Sequence, residues 1–266
     1  MSPLSPTSVE APGEESGLDA AVARALGRAG LYRLLGRAFG YPTRPVISEL
    51  GGLAAQAAAA PATAAALREP LARFAAAARD ADPDALGDEY VFLFDRQVRC
   101  APCEGAYTQA GQMAGKSAAL ADVAGFYTAF GLQPAGIQAD VEDHVAAELE
   151  FMSVLALKEA YALARGHEDG LTVTHGAQVA FLTDHLGRWA EAFARAVREA
   201  TPLPYYTAAA EVLATWMRAE VETLGATPAP LPAAPADGES DEEPFTCPMA
   251  EVEPDEGGPD DPVAGA

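Results

Sequence analysis

Alanine recurs through this chain at helical spacing, and β-branched residues are sparse. Alanine is the strongest helix former, so periodic alanine-rich segments favour helix over strand. Half of the 266 residues are apolar, enough to build a substantial core. Alternating apolar and polar runs joined by hairpin turns are missing. The predicted class is all-α, a single compact multi-helix bundle.

The periodicity places the helices. Residues 18–39 carry Val22, Leu26, Leu31, Leu34, Leu35 and Phe39 on one broad face, and Tyr41-Pro42 ends the segment. Residues 45–60 and 62–79 are alanine-rich helices separated by Pro61. Residues 82–94 open on an Asp-Pro start signal and end in Tyr90-Val91-Phe92-Leu93-Phe94. That run is the best strand candidate in the chain, but it continues a helical pattern and is read as helix. Residues 96–105 read as a loop, and 107–130 as helix with a break near Gly111 or Gly115. Residues 140–165, 175–200 and 204–224 complete the set. Phe181, Leu182, Leu186, Trp189 and Phe193 supply the core face of 175–200.

Charge narrows the partners. The net charge is −22, which argues against nucleic acid or anionic membrane and for a basic partner. No apolar run is long enough to span a bilayer. Residues 1–17 are rich in Pro, Ser and Glu and lack the basic start and apolar run of a secretory signal, so the expected compartment is the cytoplasm. Three cysteines are too few for a disulfide scaffold. The expected organisation is a disordered leader over 1–17, a helical domain over 18–225, and a Pro/Ala linker with a disordered acidic tail over 226–266. The tail holds eleven acidic residues, no Lys or Arg, and one apolar island, Phe245-Thr246-Cys247-Pro248-Met249.

Three segments carry the candidate chemistry. In residues 140–157, Val141, Val145, Leu149 and Met152 form an apolar stripe. Asp140, Glu142 and Asp143 crowd the predicted first turn, where the helix dipole favours negative charge. His144 and Glu148 are four apart and would share a face. The pair suits a cationic or hydrogen-bonding ligand; a capped helix start with a satisfied histidine accounts for it equally. The segment around Tyr90 reads as a buried helix end from which Tyr90 could line a cleft. Cys100-Ala-Pro-Cys103 could hold zinc only with Cys247 and a further ligand, and otherwise is two thiols in a turn. Glu-x-x-His, Gly-x-Ser-x-Gly and a complete phosphate loop are all missing, which points to binding rather than turnover.

Three blocks resemble the TorD/DmsD/NarJ family of redox enzyme maturation chaperones. Glu89-Tyr90-Val91-Phe92-Leu93-Phe94 is similar to its Tyr-x-x-Leu-Phe block, and Pro102-Cys103-Glu104-Gly105-Ala106-Tyr107 to its Pro-Tyr-Glu-Ser-x-Tyr loop. The run from Glu142 to Met152 is similar to its Pro-Asp-His-Leu/Ile-x-x-Glu-Leu-Glu-Phe-Met helix and is the specific match. Glu142 stands where that pattern has proline, and Cys103 and Gly105 stand where it has tyrosine and serine. The resemblance implies an all-helical cytoplasmic chaperone. Its partner would be the catalytic subunit of a dimethyl sulfoxide reductase-type molybdenum oxidoreductase, held by its twin-arginine signal peptide. It implies Tyr90, Glu104, Tyr107, Asp143, His144 and Glu148 as the peptide-binding residues, with no catalytic residue and no cofactor. Carboxylates suit the guanidinium groups of such a peptide. The rival reading is a metal-binding helical protein using Cys100, Cys103 and Cys247.

Overall fold

A computed structural model describes residues 12–108, 113–133 and 142–231 of the chain. Among these, nine α-helices and no strand are present. They are α1 (Pro12–Ala38), α2 (Arg44–Ala59), α3 (Ala65–Arg79), α4 (Pro83–Tyr90), α5 (Met113–Ala129), α6 (Val145–Arg165), α7 (Glu168–Asp184), α8 (Leu186–Ala200) and α9 (Pro204–Leu224). The all-α expectation holds, and no helix among the described residues is long and apolar enough to cross a membrane.

The central pair is α1 and α6, which run antiparallel. Gly36 permits their close approach, because a Cβ there would come within 3.1 Å of the Ala146 carbonyl oxygen. Further along, Ser153 Oγ donates to Ala29 O at 2.9 Å. These small residues explain one departure from the periodic reading. Ala25 and Ala29 are buried in α1, whereas Leu26, expected on the core face, is 49% exposed. The other helices pack around this pair, α2 on α3, α3 on α9, α8 on α9 and α7 on α6. Leu35, Phe39, Phe74, Phe181, Trp189, Phe193 and Tyr206 fill the middle and are almost wholly buried.

Two helix boundaries differ from expectation in ways that shape the site. The helix predicted from residue 140 begins at Val145, with His144 as its extended N-cap. Residues 140 and 141 lie outside the described residues, as do 109–112 with Gly111, one of the two positions expected for a break; the other, Gly115, lies within α5. The helix predicted over 175–200 is two helices. It breaks at His185, whose φ of −127° and ψ of −103° are not helical. A Cβ on Gly187 would meet the Leu182 carbonyl oxygen at 2.3 Å, so this corner is built for glycine. The aromatic run after Tyr90 is helical in a wide form: Val91–Asp95 makes a π-helical turn closed by Arg96 N–H on Val91 O at 2.9 Å.

Candidate functional site: a buried acidic cluster

The cluster starts from a backbone pairing. The loop at Pro102–Glu104 runs alongside residues 143–145 as a short antiparallel bridge between Cys103 and His144. Glu104 N–H donates to Asp143 O at 3.0 Å, and Val145 N–H to Pro102 O at 2.8 Å. A 3-10 turn, Glu104–Ala106, then points the Glu104 side chain inward. Asp143 Oδ2 accepts the Gly105 N–H at 2.8 Å, so Asp143 fixes this turn to the start of α6. The pairing takes Asp143 and His144 out of the helical first turn in which the periodic reading put them.

Each carboxylate has its own setting. Glu148 is fully buried; Trp189 Nε1–H donates to its Oε2 at 3.1 Å, and its Oε1 has no partner among the described residues. Burial pushes the Glu148 carboxyl well above the usual range, and the charge of Glu104 adds to the rise. Burial also raises Asp143, against the Gly105 hydrogen bond, which favours its charged form. Glu104 is 1% exposed; its Oε2 lies 3.0 Å from His185 Nδ1, and its Oε1 has no partner among the described residues. His185 Nε2 stands 3.3 Å from Asp122 Oδ2 on α5, within ion-pair reach but without a hydrogen bond. Between α5 and the α7–α8 corner lies an open groove of about 680 Å³. Its lining is Glu104, Asp122, Asp184, His185 and Arg188 with alanines 118, 119 and 121 of α5. A second cavity of about 690 Å³ has a mostly apolar lining on α3 and α9, where Arg73 is paired with Glu69 and Glu211.

His144 works as a helix cap. Its Nδ1 accepts the Ala146 N–H at 3.1 Å, and burial lowers its pKa to about 4. The ring is therefore neutral at pH 7, with the proton on Nε2. In an unfolded chain it takes up a proton near pH 6.5, well before the folded ring does. Its contribution to stability is therefore full above pH 6.5 and is lost as pH falls towards 4, by about 3 kcal/mol in all. His144→Asn keeps a capping acceptor and removes the titration. Melting curves of the two proteins should coincide at pH 8, with the parent falling behind the variant between pH 6.5 and 4. A constant offset across that range would show that the ring does not set the acid sensitivity.

The structure brings Glu104, Tyr107, Asp143, His144 and Glu148 together. Tyr107 is buried, its hydroxyl donating to Ala101 O at 3.0 Å and its ring 5.2 Å from Trp189. Tyr90 packs with Tyr41 and Phe94 in an aromatic cluster that reaches Trp189 through Phe193. His185 escaped the sequence reading; Gly187 inside a predicted helix was its only signal. Cys100 is buried and Cys103 partly so. Burial pushes both thiols to about 12, Cys103 with help from the charges of Asp143 and Glu148, so neither is a thiolate at neutral pH. Cys247 lies outside the described residues, and among those described no three metal-ligating side chains gather as a metal site.

No curated protein matches the chain in a sequence comparison. The family model described as nitrate reductase delta subunit matches residues 60–195, which span the aromatic run, the Glu104 loop, α6 and the His185 corner. The match covers half of the chain, and the chain belongs to the nitrate reductase delta subunit family, a family of TorD/NarJ-type chaperones for molybdoenzyme maturation.

Proposed function

We propose that the chain is a cytoplasmic chaperone for the catalytic subunit of one molybdenum-containing oxidoreductase of the dimethyl sulfoxide reductase type. It binds the twin-arginine signal peptide and the apo form of that subunit, holding it until the cofactor is inserted and before export. The family's description favours a nitrate reductase-type client. The observation that carries the reading is a buried carboxylate oxygen in the groove lining, Glu104 Oε1, which has no partner among the described residues. Buried acceptors without donors are costly, and a guanidinium supplies several donors in a planar fork. Glu104 lines the groove, where the acidic side chains of Asp122 and Asp184 would attract a basic peptide.

A synthetic peptide with two consecutive arginines ahead of an apolar segment tests this by calorimetry. Glu104→Gln should weaken its binding tenfold or more, since a charged hydrogen bond contributes about 1.5–3 kcal/mol, and Asp143→Asn should weaken it severalfold by loosening the Gly105 turn that positions Glu104. Replacing both peptide arginines by lysine should weaken binding to the parent protein as well. Affinities within twofold of the parent for both variants would sink the assignment.

A further inference from the structure

The chain does not leave the bundle where α9 ends. Gly225, at φ +68°, turns it back across the α7–α8 corner. Ala226 is buried, and Thr227 N–H donates to Thr183 Oγ1 at 3.3 Å. Leu231 N–H donates to Arg188 O at 2.8 Å, and the Leu231 side chain packs on the core. The stretch from Ala226 to Leu231, which the composition assigns to a linker, is thus a strap on the body.

The strap also holds a side chain. Arg188 Nε donates to Ala229 O at 3.3 Å, and Arg188 NH1 to Asp184 O at 3.3 Å. Arg188 is the one cation in the described lining of the acidic groove. Bound to these two carbonyls, its guanidinium forms no ion pair with Glu104, Asp122 or Asp184 among the described residues. A freed cation would be drawn to those carboxylates and would compete with any incoming basic group.

Resting on the function proposed above, we propose that the strap is part of the receiving site. Its Ala229 carbonyl, together with the Asp184 carbonyl of α7, holds the cation of the described groove lining and leaves the carboxylates for a basic polypeptide segment. Glu104, almost wholly buried in that lining with Oε1 unpartnered, is the acceptor kept open. The residues after Leu231 carry eleven carboxylates and no Lys or Arg. They share the groove's sign, so they cannot replace the ligand. They reinforce attraction of a basic partner, an effect on association rate that salt removes.

Three full-length variants test this with the two-arginine peptide. Arg188→Lys keeps the charge but loses the fork that grips two carbonyls, so its ammonium should enter the groove and weaken binding severalfold. Arg188→Ala removes the cation and should bind more tightly than the parent. Changing the eleven tail carboxylates to amides should slow association at low salt, with the difference closing at high salt. Equal effects of the two Arg188 substitutions would mean that packing alone matters, and would overturn the proposal. A tail variant whose association is unchanged at low salt would overturn the role of the tail. If the parent binds with the expected dependence on Glu104 and Asp143 while the Arg188 pair behaves alike, only this proposal fails. No saturable binding by the parent overturns both it and the function.

Discussion

Replacing Arg28 with alanine should lower the unfolding free energy by about 3–5 kcal/mol, the usual cost of stranding one side of a buried ion pair. Arg28 on α1 joins three other helices. Its Nε donates to both oxygens of Glu220 on α9, at 2.9 and 3.0 Å. Its two terminal nitrogens reach Glu159 on α6, Gln178 on α7 and Glu220 again. Gln178 Nε2 closes the ring by donating to Glu159 at 2.9 Å. Glu220 is 2% exposed and Glu159 18%, so removing the guanidinium leaves one buried and one partly buried carboxylate without their cation. A lysine cannot serve these acceptors at once, so Arg28→Lys should fall between parent and alanine variant. Because the network is largely screened from solvent, the loss should change little between low and high salt. Urea unfolding at pH 7 measures it. A loss below about 1 kcal/mol, the range of an exposed pair, would show that the network is not holding the helices together.

No spacing rule reveals that network. Its members are up to 192 positions apart, and each alone reads as a solvated charge on a helix face. The helices themselves were legible because their apolar periodicity is strong, as in 204–224, which matches α9 in full. What periodicity misses is a tertiary contact that overrides a local signal. Asp140, Glu142 and Asp143 look like a helix start, yet backbone pairing with the Glu104 loop holds residue 144 extended and delays α6 to Val145. Likewise the α7–α8 corner lies inside one unbroken apolar pattern, since Phe181, Leu182, Leu186 and Trp189 stay buried on both sides of the break.

The same limit applies to the site. Glu104, Asp143, His144 and Glu148 were legible through the family's motifs, and they do meet around one turn. Their individual roles were not, because these depend on atoms rather than residue types. His144 uses Nδ1 as a cap and Asp143 uses Oδ2 to hold Gly105, which leaves Glu104 and Glu148 with the open oxygens. His185 and Trp189, which hold those two side chains, lie 81 positions after Glu104 and 41 after Glu148 respectively. Periodicity identifies Trp189 as core, whereas its second function as a donor depends on the tertiary contact with Glu148.

That double role makes Trp189→Ala the second large effect. The indole is fully buried between Tyr107 and Phe193, with ring centroids 5.2 and 5.8 Å away. Truncation should cost about 3–5 kcal/mol for lost packing and the cavity left behind. Loss of the Nε1–H adds a further penalty, because it removes the one described donor to Glu148 and leaves both carboxyl oxygens unpartnered. Trp189→Phe separates the two terms, since it retains a ring but no donor, and should cost about 1–3 kcal/mol. If the hydrogen bond to a buried acid is the cause, removing the acid should relieve it. The double variant Trp189→Phe with Glu148→Leu should then be more stable than Trp189→Phe alone. The gain should grow as pH rises. The Glu148 carboxyl is held well above its unfolded range, so the folded chain retains a proton that the unfolded chain has already released, and its cost is added as pH climbs from about 4.5 upward. Urea titrations of the single and double variants at pH 5 and pH 8 decide the matter. A double variant no more stable than Trp189→Phe at pH 8 would mean that Trp189 supports the fold by packing only, with Glu148 finding its donors elsewhere.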